Sequence, residues 1–261
     1  MCRWRYPPGA DVNRLILTQR VPYYHRMTTF ALVHGAFHGA DCWDLLTPLL
    51  RQAGHDVVAM DLPIDDGTAS FDDYADVVCA ALRGHDDVVL VGHSFGGATI
   101  PLVATRSPIR HLVYLGAIIP ELGRSIEQQM TDGSDADMLD VHFYAGLGAP
   151  DEQSRVSFVD LDVAREVFYA DCSPSVADQA VARLRPQALY PSSLPCTLSE
   201  FPTVPASYVV CSEDRSILPE WSRRVAPERL GAEVVELPGS HSPFLSRPSA
   251  LADVLLGLAA S

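Results

Sequence analysis

"VVLVGHSFGGATI", residues 88–100, decides how the rest of the chain is read. Its opening valines and leucine have the apolar, β-branched character of a buried strand. That run leads straight into Ser94, with Gly92 two residues before it and Gly96 two residues after. A helix needs neither glycine. A strand that must turn sharply to lift a hydroxyl clear of a sheet needs both, because the turn crowds the positions on either side and leaves no room for a Cβ. The pattern from Phe95 to about Arg106 is helical, so the stretch reads as strand, tight turn and helix.

Outward from this centre, short β-branched runs alternate with amphipathic helical patterns, which predicts a mostly parallel sheet with helices on both faces. Strands are expected at 29–34, 56–63, 111–120, 206–214 and 232–239, and helices at 41–54, 71–84, around "PEWSRRVA" and from Arg247 to Ala260. The strands are near-continuous apolar runs, as a sheet covered on both sides requires. Between Glu121 and Ser199 the rhythm lapses; this span holds thirteen acidic residues and five arginines. A structureless loop of that length is unusual in a compact domain, so it reads as a mainly helical insertion.

The chain has 261 residues, 48% of them hydrophobic, enough for one globular domain with an insertion. A net charge of −14 repels phosphate backbones and anionic membrane surfaces, which sets aside nucleic-acid and membrane partners. All 19 basic residues are arginine. Schiff-base chemistry, pyridoxal phosphate attachment and a P-loop lysine are thereby excluded. The six cysteines are scattered without a C-x-x-C pair and read as reduced thiols. No apolar run reaches the roughly 18 residues of a spanning helix. Residues 1–27 form an N-terminal tail with five arginines and one aspartate among the first 26 positions, and its apolar "LIL" is too short for a signal sequence. A cytoplasmic location is the expectation. The tail itself reads as a disordered extension, as an artefact of the assigned start before Met27, or as a weak basic docking arm.

A serine hydroxyl is a poor nucleophile near neutrality; it needs a histidine base, and the histidine needs a carboxylate that fixes its tautomer. In a strand-turn-helix architecture of this kind the acid follows a late strand and the histidine follows the last, giving the order Ser, acid, His. Asp214 closes "SYVVCSED" and His241 stands two residues beyond "AEVVELPG". Glu213 is the rival to Asp214; Asp61 also ends a strand but precedes Ser94. Two backbone N–H groups must meet the oxyanion of the tetrahedral intermediate. Phe95, directly after the serine, is placed to supply one, and Ala36 in "HGAFHG" (34–39) the other. His34 and His38 in that loop lack a matching carboxylate or cysteine, so no metal site is expected.

With these residues in view, "LVHGAFHGADCWDLLTPLLRQAGHDVVAMDLP", "VLVGHSFGG", "VVCSEDRSILPEW" and "LPGSHSPF" resemble the α/β-hydrolase superfamily, in the branch of salicylate-binding methylesterases, hydroxynitrile lyases and related bacterial esterases. The similarity runs over about residues 28–261. It implies an α/β-hydrolase core over 28–120 and 200–261 with a helical cap over 121–199. It also implies Ser94 as nucleophile, Asp214 as acid, His241 as base and the amides of Ala36 and Phe95 as oxyanion hole. Lyases of the branch carry a threonine where this chain has Gly35 and a lysine where it has Ser242, which points away from lyase activity.

The resulting expectation is a hydrolase for a small, largely apolar carboxylic ester or lactone, working through an acyl-enzyme and without a cofactor. The alternatives are a biosynthetic thioesterase and a ligand-binding protein with slow turnover. Phe37, Trp43, Phe143, Tyr144, Phe168 and Tyr169 are candidates to line the substrate pocket. The acidic insertion should disfavour anionic substrates at low ionic strength. The oligomeric state stays open, a homodimer included.

Overall fold

Side chains along a strand alternate between its two faces, so a run of five or six apolar residues is stable only where both faces are covered. The computed structural model, which describes residues 27–133 and 135–260, builds its main sheet from such runs. In chain order the strands are β1 (Thr29–Val33), β2 (Asp56–Ala59), β3 (Val88–His93), β4 (His111–Leu115), β5 (Arg155–Val156), β6 (Gln187–Ala188), β7 (Ala206–Cys211) and β8 (Glu233–Leu237). Six of them form one sheet in the order β2-β1-β3-β4-β7-β8, and every pairing is parallel. β5 and β6 make a separate antiparallel pair. Because the six strands run the same way, the residues that follow each of them emerge along one edge of the sheet. The predicted tail, residues 1–26 in particular, lies outside the described residues.

The helices are α1 (Thr47–Gln52), α2 (Phe71–Ala81), α3 (Ile100–Ala104), α4 (Ile126–Thr131), α5 (His142–Ala145), α6 (Leu161–Phe168), α7 (Pro174–Val181), α8 (Tyr190–Ser193), α9 (Pro219–Leu230), α10 (Pro243–Ser246) and α11 (Pro248–Ala260). Phe30, Leu32, Val91 and Leu115 pack against Trp43, Leu50, Phe244, Leu251 and Leu255 on one face of the sheet. Ala31, Val33, Leu90 and Tyr114 pack against Tyr74, Val78, Val103 and Trp221 on the other. Each fully buried Leu, Val or Phe stabilises the fold by about 1.5–3 kcal/mol before chain entropy is counted. α2 opens with a reciprocal capping box in which Ser70 accepts from the Asp73 N–H and Asp73 from the Ser70 N–H.

Two predicted helices are interrupted. The span 41–54 divides into a 3₁₀ turn at Ala40–Trp43 and α1, which carries Pro48 in its first turn. The span 95–106 divides into a 3₁₀ turn at Ser94–Ala98 and α3, with Pro101 likewise near its start. Proline lacks an N–H and clashes with the preceding turn, so it opens a helix more readily than it extends one. Predicted strands also end early; β4 stops at Leu115 because Gly116 turns away with φ +47°.

Between β4 and β7 lie α4 to α8 together with the β5/β6 pair, so the segment read as mainly helical also contains a small sheet. It has an apolar core of its own, in which Val156, Phe158, Val163, Val167 and Phe168 close around Phe37 from the loop after β1. Phe37 thereby fastens this segment to the parallel sheet. Among the described residues no helix is long and apolar enough to cross a membrane. The five described cysteines, Cys42, Cys79, Cys172, Cys196 and Cys211, are unpaired.

Candidate active site

Ser94 occupies the turn that its neighbours demand. Its φ of +52° lies in the left-handed region, a conformation that costs a residue with a side chain about 1–2 kcal/mol. A Cβ on Gly92 would come within 2.8 Å of Ile100 Cγ2 and 3.0 Å of the Gly96 carbonyl; a Cβ on Gly96 would meet the His34 carbonyl at 2.7 Å. Gly96 is therefore required by close approach of backbone, and Gly92 by the Ile100 side chain together with the Gly96 carbonyl. The carbonyl of Ser94 accepts from the Ile118 N–H at 3.0 Å, which ties the turn to the chain beyond β4.

The two remaining chemical groups arrive from the ends of β7 and β8. Asp214 is buried; its Oδ1 accepts from the N–H groups of Ser216 (2.7 Å) and Ile217 (3.0 Å), and its Oδ2 from His241 Nδ1 at 2.8 Å. Glu213 points into solvent, so of the two adjacent acids it is Asp214 that meets the imidazole. A carboxylate can only accept here, which puts the proton of neutral His241 on Nδ1 and leaves Nε2 with a lone pair. His93, one residue before Ser94, donates from Nε2 to the His241 carbonyl at 2.9 Å, and the two rings lie 4.5 Å apart. His241 Nε2 is buried and has no hydrogen-bond partner among the described residues, Ser94 included. In sites of this geometry a bond between the histidine and the serine is often long until a substrate is present.

Ser94, Ala36 and Phe95 open onto one cavity of about 130 Å³, together with Phe37, Phe143, Tyr144 and Phe168. The Phe168 ring also lies 5.6 Å from that of His241. Phe95 sits in the first turn of a 3₁₀ helix, where a backbone N–H has no helical acceptor. Two of the aromatic candidates belong elsewhere. Trp43 is fully buried beneath the sheet, packed on Phe244 at 4.7 Å, and does not reach the cavity. Tyr169 turns its hydroxyl to His38 and lines a different hollow, between the Ala40–Trp43 turn and α7. Most of the remaining wall is aliphatic, with Ile118, Ile126, Met130, Leu139, Leu147 and Ile217 among it, while Gln187, Ser192 and Ser216 add polar groups. Nothing in the sequence singled these out, since an aliphatic residue lining a cavity has the same local pattern as one filling a core.

The loop "HGAFHG" carries two more buried imidazoles. His34 Nδ1 donates to the Gly35 carbonyl at 2.9 Å while Nε2 accepts from the Leu62 N–H at 3.0 Å. His38 Nδ1 donates to the Ala36 carbonyl at 2.7 Å while Nε2 accepts from the Tyr169 hydroxyl at 2.8 Å. Burial pushes the pKa of His34 down to about 4 and that of His38 down to about 3, so both are neutral near pH 7.

A parallel sheet with a serine on a strained turn after a central strand, and with an acid and a histidine after later strands, defines the α/β-hydrolase class. The chain belongs to the alpha/beta hydrolase family, whose model matches residues 30–254. It is 31% identical to Salicylic acid-binding protein 2 of Nicotiana tabacum over 252 residues, covering 88% of this chain and 96% of that one. It is 30% identical to Methylesterase 2 of Arabidopsis thaliana, over 90% of this chain and 97% of the relative. Among solved structures, the pyrethroid hydrolase of Sphingobium faniae JZ-2 superposes with a TM-score of 0.75 at 27% identity, covering 90% and 98% of the two chains.

Proposed function

We propose that this protein is a serine hydrolase that cleaves a small, largely apolar carboxylic ester or lactone through an acyl-enzyme. The reading is carried by the buried 2.8 Å bond between Asp214 and His241, which leaves the Nε2 lone pair free beside the strained turn at Ser94. Ser94 Oγ attacks the ester carbonyl as His241 Nε2 takes its proton, and Asp214 stabilises the imidazolium. The oxyanion is met by the amides of Ala36 and Phe95. His241 then gives the proton to the departing alkoxide oxygen. Water, deprotonated by the same nitrogen, attacks the acyl-enzyme; collapse of the second intermediate releases the acid and returns the proton to Ser94.

The size and lining of the cavity support a small apolar substrate, and esterases among the relatives support ester chemistry. Residues 121–199 act as a cap on this reading, since Phe143, Tyr144 and Phe168 face Ser94 from that segment. Its excess of acidic side chains disfavours anionic esters, an effect that salt weakens. Lyase chemistry is set aside on two counts. A Cβ at Gly35 would stand 2.7 Å from Ser94 Cβ, so the lyase threonine has no room, and the lysine that would follow His241 is Ser242.

A panel of p-nitrophenyl, methyl, lactone and thioester substrates, run on wild type and on Ser94→Ala, tests this. Short apolar oxygen esters or lactones should be the best substrates, and Ser94→Ala should lower kcat on the order of 10⁶-fold. Equal turnover by the two proteins would remove Ser94 from the mechanism. Preference for thioesters would point to the thioesterase instead, and tight ligand binding with negligible turnover by wild type to a binding protein.

A further inference from the structure

The mechanism above uses neither of the two buried histidines beside Ala36. Each makes two hydrogen bonds, and each donates to a carbonyl that flanks that residue. In a trans peptide the C=O and the next N–H point in opposite directions from one rigid plane. The Gly35 carbonyl and the Ala36 N–H share such a plane, so the side chain that holds one aims the other. The Ala36 carbonyl belongs to the following plane. His34 therefore fixes the plane before the Ala36 Cα, and His38 the plane after it.

We propose that His34 and His38 are positioning residues for the oxyanion hole, with Tyr169 locking His38 in the donating tautomer. This rests on the serine-hydrolase reading, in which the Ala36 N–H meets the oxyanion. The tautomers are forced by chemistry: carbonyl oxygens only accept, so Nδ1 carries the hydrogen in both rings, and Nε2 must then be the acceptor. It receives the Leu62 N–H in His34 and the Tyr169 O–H in His38. Were either ring to shift its proton to Nε2, a lone pair would face a carbonyl oxygen and release the loop.

The loop needs such a hold because it is strained. Phe37 has φ +64°, a conformation that persists in a bulky residue only where the surroundings over-determine it. The Phe37 carbonyl is pinned by the Arg185 N–H at 2.8 Å. Both Tyr169 and Arg185 lie in the segment between β4 and β7. The aim of an oxyanion donor on the parallel sheet is thus set partly from the segment above it. Accepting a bond from His34 at the Gly35 carbonyl also polarises the Gly35–Ala36 peptide and strengthens the Ala36 N–H as a donor.

Tyr169→Phe is the decisive variant because it deletes one oxygen and keeps the ring. It is compared with His38→Asn, whose amide can still donate to Ala36, and with His38→Leu, which cannot. For each, kcat, KM and the inhibition constant of a trifluoromethyl ketone that forms a tetrahedral adduct on the serine are measured, with circular dichroism and Tm as the check on folding. Tyr169→Phe is expected to lose about 10-fold and His38→Leu about 100-fold in kcat, less than or similar to removal of an oxyanion donor outright. The ketone should weaken by the same factors while KM stays within about twofold, and His38→Asn should recover most of the loss. A folded Tyr169→Phe and His38→Leu that bind the ketone as tightly as wild type overturn the positioning role and leave the hydrolase reading intact. A wild type that hydrolyses no ester and forms no ketone adduct overturns both.

Discussion

Asp214 and Glu213 are neighbours with the same functional group, yet only one meets His241, because the turn after β7 directs their side chains to opposite environments. Asp214 is held inside by two backbone N–H groups and the imidazole, whereas Glu213 is solvated. Asp214→Asn, which frees the wrong tautomer of His241, should lower kcat by about 10⁴-fold. Glu213→Gln, a surface change, should leave kcat within about twofold, and steady-state kinetics on one ester separates the two. The nucleophile and base candidates were legible in the sequence, since Ser94 announces itself by its flanking glycines and His241 by its place after the last strand. For the acid, the residues alone left Glu213 as a rival and the family resemblance pointed to Asp214, because one residue of turn geometry separates the two. Trp43 and Tyr169 were misread for a related reason. An aromatic side chain carries the same label whether it lines a cavity, fills the core or holds a histidine, and only the packed structure distinguishes these.

At the scale of elements, the turn after β3 is the feature on which the site geometry depends. The groups nearest to a Cβ at position 96 are the backbone oxygens of His34 and Val33, at 2.7 and 3.0 Å, and backbone cannot step aside as a flexible side chain can. Gly96→Ala should therefore destabilise the protein by about 1–3 kcal/mol, read as a lower urea midpoint at unchanged m value. An unchanged midpoint would mean that the turn is looser than its contacts indicate. The parallel sheet and its two-sided burial followed from apolar runs alternating with helical patterns, whereas the strand order β2-β1-β3-β4-β7-β8 is set by packing alone. Helix boundaries followed less well, although Pro48 and Pro101 were visible signals that the helices begin at those residues rather than run through them. The β5/β6 pair, two residues to a strand, is too short to leave any periodic trace.

For the molecule as a whole, buried neutral histidines make stability depend on pH. His34 and His38 are held at about 4 and about 3, and burial also lowers His93 and His111. An unfolded chain protonates its histidines near pH 6.5, so below that value it binds protons that the native state refuses. Stability is accordingly full above about pH 6.5 and falls as pH drops toward 4, by about 1.4 kcal/mol per pH unit for each of His34 and His38, with His93 and His111 adding in the same direction. Urea midpoints measured from pH 7.5 to 4.5 should decline across this window and flatten above it; a level profile would show that these imidazoles accept protons in the folded state. The same whole-molecule arrangement explains why distant parts of the sequence converge. Parallel strands deliver the ends of β1, β3, β7 and β8 to one edge, so residues 36, 94, 214 and 241 gather although they are far apart in the chain.

Labelling with a fluorophosphonate, followed by intact-mass measurement and peptide mapping, addresses the activated serine most directly. Folded wild type should take up one phosphonyl group, on Ser94, and Ser94→Ala none, while His241→Ala should slow labelling by several orders of magnitude. Folded wild-type protein that stays unlabelled, or that carries the adduct on another residue, would contradict a nucleophile at Ser94.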